Sequence, residues 1–215
     1  MSIELQRRGI LCIVSGPSGS GKTTLCRALN ESDPLCDYAV SCTTRKPRGG
    51  EIDGRDYHFL TREDFEERTT RGEFLEWAEV HGNLYGTLKS AVIDRIRIGH
   101  DVLMDIDVQG ARLIRRNPDP MIRESLVDVF ILPPDRDELV RRLSGRGTED
   151  PAELELRMAN ALEEMRHWRD YGYTIISGCP ETDLRRFRAI VEGERCRTGR
   201  LHGDEGFEDH PDLFS

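Results

Sequence analysis

The stretch Gly16-Pro17-Ser18-Gly19-Ser20-Gly21-Lys22-Thr23 constrains the chain more than any other, because it fits the pattern G-x-x-x-x-G-K-[ST]. Before it, Ile10-Leu11-Cys12-Ile13-Val14 has the length and β-branching of a buried strand, and after it Thr24-Leu25-Cys26-Arg27-Ala28-Leu29 reads as the first turns of a helix. Glycines let backbone N–H groups turn inward, where with the positive end of a helix they cradle phosphate oxygens. Lys22 adds a mobile charge, and the Thr23 hydroxyl is a candidate ligand for Mg²⁺. The flanking strand and helix weigh against a glycine-rich turn that fits the pattern by chance.

A chain of 215 residues suits one α/β domain with small inserted subdomains. Its net charge of −9 leaves no basic footprint for nucleic acid, so affinity for phosphate has to come from local clusters. The 6 cysteines form no C-x-x-C pair, which argues against zinc and for a reduced, cytoplasmic setting. No stretch reads as a signal peptide or as a membrane span. Lysine occurs only at Lys22, Lys46 and Lys89; a codon bias toward arginine explains this, yet the loop retains the compact ammonium that fits there.

A second informative stretch runs from Ser41 to Phe59 and is rich in glycine, hydroxyls and arginine. Arg45 and Arg48 flank Pro47, and two guanidinium forks held this way can grip a phosphate, with Tyr57 adding a phenol. A solvated basic loop is the competing reading. Asp101 to Asp107 reads as a strand ending in acids, at the sheet end where ligands bind in parallel α/β folds. Asp105 and Asp107 there are either cation or substrate contacts, or caps on the following helix. Arg142, Arg146 and Arg157 surround Gly145 to Pro151, which reads as a mobile lid carrying cations or as a solvated charged loop.

Elsewhere, Tyr38 to Cys42 reads as a short strand, and Thr61 as the N-cap of a helix that carries Phe65 and stops at Gly72. Glu73 to Val80 and Leu84 to Gly86 read as a hairpin, with Thr87 capping a helix that stops at Gly99. A helix follows from Val108, then a strand over Leu126 to Leu132 and a helix from Asp135 to Leu143. Leu154, Met158, Ala161, Leu162 and Met165, with Trp168 beyond, have core spacing. Tyr173 to Ser177 is a last strand and Leu184 to Val191 a last helix; from Gly199 onward the composition predicts a disordered, removable tail.

Taken together, the phosphate loop, Ser41-x-Thr43-Thr44-Arg45-x-Pro47-Arg48-x-Gly50-Glu51 with Tyr57-x-Phe59, Glu76 to Val80 with Gly82 to Thr87, Asp105-Ile106-Asp107-x-Gln109-Gly110, and Arg142-Leu143-x-x-Arg146-Gly147-Thr148 resemble the guanylate kinase family from about Arg8 to about Glu194. The resemblance implies an α/β P-loop nucleoside monophosphate kinase fold, a central parallel sheet flanked by helices. It implies a domain over 1–199, with a GMP-binding insertion at about 41–89, a mobile lid at about 142–157 and a polar tail over 200–215. The activity it implies is Mg²⁺-dependent transfer of the γ-phosphoryl of ATP to GMP, in purine nucleotide metabolism. By likeness, Gly16, Pro17, Ser18, Gly19, Ser20, Gly21, Lys22, Thr23 and Thr24 hold ATP, with Thr23 on the metal. Arg45, Arg48, Tyr57 and Tyr85 hold the GMP phosphate, while Ser41, Glu76, Thr87 and Asp107 read guanine. Lys22, Arg45, Arg142, Arg146 and Arg157 serve the transfer itself. One departure stands out: relatives usually carry Asn after the last strand, near adenine, where this chain has Ser177. A kinase of another phosphorylated small molecule is disfavoured by the Glu76, Ser41, Thr87 set, and a non-catalytic protein-binding scaffold by the intact Lys22 and Thr23.

Overall fold

A computed structural model describes residues 5–144 and 151–203. Its centre is a five-stranded parallel sheet formed by β2 (Leu11–Ser15), β3 (Cys36–Tyr38), β8 (Asp101–Asp105), β9 (Leu126–Leu132) and β10 (Tyr173–Ile176) in the order β10-β9-β2-β8-β3. Every residue of β2 is buried because helices cover both faces, so the strand reads as an unbroken apolar run. Cys12 and Val14 pack under α1 (Lys22–Ser32) and α8 (Pro180–Arg195), with Leu25, Leu29 and Phe187. Leu11 and Ile13 face the opposite layer of α3 (Lys89–Arg97), α4 (Val108–Arg115) and α5 (Pro120–Ser125), through Val92, Ile96, Ile114 and Ile122. Each such Leu or Ile removed from water contributes about 1.5–3 kcal/mol.

A second sheet stands beside the first: β4 (Cys42–Thr43), β5 (His58–Phe59), β6 (Phe74–Val80) and β7 (Asn83–Leu88), in the order β5-β4-β7-β6. Its small core is Cys42, Phe65 of α2 (Arg62–Thr70), Phe74 and Leu84, with the two phenylalanine rings stacked at 4.2 Å. Between Phe74 and Glu76 the β6–β7 register shifts. The shift brings Glu76 opposite Thr87, while Phe74 packs in the small core and Leu75 in the main one. The remaining helices, α6 (Arg136–Leu143) and α7 (Pro151–Met165), share a satellite core of Leu139, Leu143 and Ala161. Among the described residues no helix is long and apolar enough to cross a membrane.

Several sequence expectations need correction. Tyr38 to Cys42 is not one strand: β3 ends at Tyr38 in the parallel sheet, and β4 begins at Cys42 in the second. Thr87 is a strand residue; the N-cap of α3 is Leu88, which makes no side-chain cap bond. Leu162 and Trp168 are exposed, whereas Leu154, Met158 and Met165 pack as the spacing predicts. The helix Pro120–Ser125 was missed although Asp119 caps it and Pro120 starts it. The supposed tail begins with structure: Leu201–Gly203 is β11, antiparallel to β1 (Leu5–Arg7), and Arg200 is buried. Residues 204–215, and Arg146 with the rest of 145–150, lie outside the described residues.

Candidate active site

The phosphate loop joins β2 to α1 at the carboxyl end of the parallel sheet. A Cβ on Gly16 would lie 2.3 Å from the Ile131 carbonyl oxygen, so only glycine lets the loop pass that close to β9. Gly21, at φ 93, is the N-cap of α1 and offers no side chain to the first amides of the helix, leaving them for an anion. Lys22 Nζ donates to the carbonyls of Gly16 (2.6 Å) and Pro17 (3.1 Å), which keeps the ammonium inside the loop. Burial lowers its pKa, and the nearby carboxylates of Glu164 and Asp105 oppose that shift. Thr23, one residue on, gives its hydroxyl hydrogen to Asp105 Oδ2, while the Tyr38 hydroxyl bonds Asp105 Oδ1. Asp105 ends β8, at the position where sequence reasoning left a choice between ligand and cap; the neighbouring Asp107 is the cap, accepting from Gly110 N at 2.8 Å. A cap and a wall of the cleft are compatible roles, and Asp107 has both.

One edge of the loop is lined by Arg142 of α6. Its Nε donates to Glu138 at 2.6 Å, and its NH1 donates to Ser177 Oγ at 2.9 Å and the Ser20 carbonyl at 3.2 Å. Two arginines, Arg141 first and then Arg142, hold the Glu138 carboxyl down at about 2. Ser177, the departure noted above, is thus a ligand of Arg142 and lines a cavity of about 240 Å³ with Gly178 and Asp183. Arg157 on α7 donates to the Leu143 carbonyl at 3.3 Å, at the end of the same α6.

Across a cleft of about 490 Å³ lies the second sheet. Arg45 forms a two-pronged bridge to Glu51, at 2.8 and 3.0 Å, and its guanidinium lies 5.4 Å from the centre of the Tyr57 ring. Tyr57 meets Tyr85 edge-on at 6.1 Å. Glu51 also accepts from the Arg48 amide at 2.6 Å, while the Arg48 side chain is exposed. Glu51 was quoted in the motif without a role; its position six residues after Arg45 was the only signal, and only the loop's fold brings the two together. Deeper in the cleft, Ser41 Oγ is 3.2 Å from Thr87 Oγ1. Glu76 stands next to Thr87, and burial raises its pKa against hydrogen bonds from Thr87 and with help from the Asp107 charge. The structure therefore gathers Ser41, Tyr57, Glu76, Tyr85, Thr87 and Asp107 around the same cleft as Thr23 and Asp105. Missed in the sequence were Tyr38, the Glu138 clamp on Arg142 and Glu164 beside Lys22.

Chemically, the arrangement offers an amide-and-ammonium cradle at the loop and a cleft lined by Thr23, the Tyr57 and Tyr85 phenols, the Glu76 carboxylate and the Ser41 and Thr87 hydroxyls; Arg45, held by Glu51, and Arg48 do not line that cleft. The family model described as Guanylate kinase matches residues 8–192. A guanylate kinase of Paramagnetospirillum magneticum is 45% identical over 93% of this chain and 91% of its own length. One from Chelativorans sp. is 44% identical over 96% of this chain and 93% of its own. The crystal structure of guanylate kinase from Anaplasma phagocytophilum, 32% identical, superposes with a TM-score of 0.75 over 98% of this chain and 97% of that one. Matches of this extent, on a fold that carries both halves of the cleft, make the chain a member of the guanylate kinase family.

Proposed function

We propose that the chain transfers the γ-phosphoryl group of ATP to GMP, giving ADP and GDP, as a cytoplasmic enzyme of purine nucleotide metabolism. The observation that carries the reading is the cleft shared by Thr23, the last residue of the phosphate loop, and Asp105 with Ser41, Glu76 and Thr87. Guanine offers N1–H and N2–H donors on its pairing edge, and an ionised Glu76 accepts both. Adenine has a lone pair at N1 and meets the carboxylate with repulsion. A site built on such bonds discriminates by roughly 10⁴ or more. Ser41 and Thr87 supply hydroxyls to O6. Arg45, with Tyr57 and Tyr85, receives the GMP phosphate, and Arg48 reaches it from the exposed side of the same loop.

On the donor side, the loop amides and Lys22 hold the phosphates of ATP. Hydroxyl and carboxylate oxygens at Thr23 and Asp105 are hard donors that fit Mg²⁺, which takes one or two protein oxygens and completes its shell from phosphates and water. Held there by Thr23 and Asp105, Mg²⁺ would supply positive charge to the phosphates during transfer. Transfer forms a bond from a GMP phosphate oxygen to the γ-phosphorus and breaks the β–γ bridge, whose oxygen leaves with ADP. The attacking oxygen is already anionic, so no general base is needed; the chain contributes alignment and positive charge from Lys22, Arg45, Arg142, Arg157 and, outside the described residues, Arg146. In this reading residues 41–89 form the GMP-binding insertion and 142–157 the lid. A coupled ADP-release assay with ATP and each of GMP, AMP, CMP and UMP tests it. Turnover with GMP alone is expected; none with GMP, or equal turnover with AMP, refutes it.

A further inference from the structure

Three elements meet at Asp105. Thr23, at the start of α1, holds Oδ2, and Tyr38, the last residue of the edge strand β3, holds Oδ1. Tyr38 pairs with Leu103, so Asp105, two residues further along β8, points to the same face of the sheet. The Tyr38 ring packs against the core beneath α1, and its hydroxyl reaches that diagonal neighbour. A carboxylate held at one oxygen can still swing about its last bond; held at both, its plane is fixed. A Thr23 hydroxyl that gives its hydrogen to Asp105 keeps its lone pairs for a cation.

We propose that Tyr38 is a positioning residue for the divalent cation that accompanies the donor nucleotide, fixing the Asp105 carboxylate so that Thr23 presents its lone pairs to the metal. This rests on the assignment of Thr23 and Asp105 to the cation, but it adds a residue that none of the sequence motifs includes. Partners that orient metal ligands from behind typically change metal affinity or activity by 10–100-fold. Tyr38→Phe removes the hydroxyl and keeps the packing ring. Mn²⁺ serves as the probe, titrated into the full-length protein with saturating ADP and read by electron paramagnetic resonance. The Mn²⁺ dissociation constant is expected to rise about ten-fold in Tyr38→Phe, with an unchanged melting temperature and an unchanged KM for GMP. In an Asp105→Asn background, where the bond is already altered, adding Tyr38→Phe is expected to cost no more. Wild-type Mn²⁺ affinity in Tyr38→Phe, an equal loss in the Asp105→Asn background, or a rise in GMP KM alone would each overturn the proposal. The titration uses no GMP, so failure to phosphorylate GMP would be seen separately and would sink the substrate reading instead.

Discussion

The proposed reading of guanine asks Glu76 to keep a charge in a place that disfavours one. Burial raises its pKa, so the fold prefers the protonated form. A carboxyl with a raised folded-state pKa stabilises the fold below its unfolded value, and that contribution is lost as pH rises through the folded value. Once ionised, the group therefore costs stability. Glu76→Gln is expected to leave the melting temperature unchanged or slightly higher while raising the KM for GMP about 10–100-fold, the effect of losing charge-assisted hydrogen bonds; the KM for ATP should hardly move. In the wild type, GMP KM should climb as pH falls through a value above the ordinary 4.5 of a glutamate, and the variant should lose that dependence. Steady-state kinetics across pH and a thermal melt check both. A GMP KM that is flat with pH in the wild type would count against Glu76 as the acceptor of guanine's donors.

At the scale of elements, the two ends of the described chain are tied together. Arg200 NH2 meets Glu194 of α8 at 2.8 Å, with both side chains only 4% exposed, and Arg200 NH1 donates to the Glu124 carbonyl at 2.9 Å. Tyr173 also bonds Glu194, at 2.6 Å, and β11 pairs with β1. Breaking a buried pair by removing one partner typically costs 3–5 kcal/mol, because the other charge is left behind. Arg200→Ala is therefore expected to lower unfolding stability in urea by about 3 kcal/mol. Truncation after Gly199, which removes Arg200 and β11, should destabilise by at least as much. Polar composition concealed this strap: an arginine reads as surface until its partner, brought in by the end of α8, is known. The elements that did read correctly were those whose signals are local: the apolar runs of β2 and β9, and the Thr61 cap of the helix carrying Phe65. The break after Tyr38 did not, since five strand-like residues say nothing about which sheet each half joins.

Across the whole molecule, the two walls of the cleft have unequal cores. The parallel sheet is packed on both faces, whereas the second sheet depends on Cys42, Phe65, Phe74 and Leu84. Regions with few buried apolar contacts open first in native-state hydrogen exchange. Amides of β4, β6 and β7 should thus exchange before those of β2, β8 and β9. GMP at one hundred times its dissociation constant should slow exchange in the second sheet by about 2.7 kcal/mol. Uniform protection of both sheets would contradict this division. The sequence by itself determined the phosphate loop, the strand and helix around it, and the residue types on each side of the cleft, because spacing along the chain and backbone chemistry at glycines are local properties. Only the tertiary structure decided that Glu51 grips Arg45, that Ser177 takes Arg142, that Tyr38 reaches Asp105, and that the second sheet turns Glu76 toward Thr87. Those pairings depend on the register and crossing of elements far apart in the chain, which no local pattern encodes.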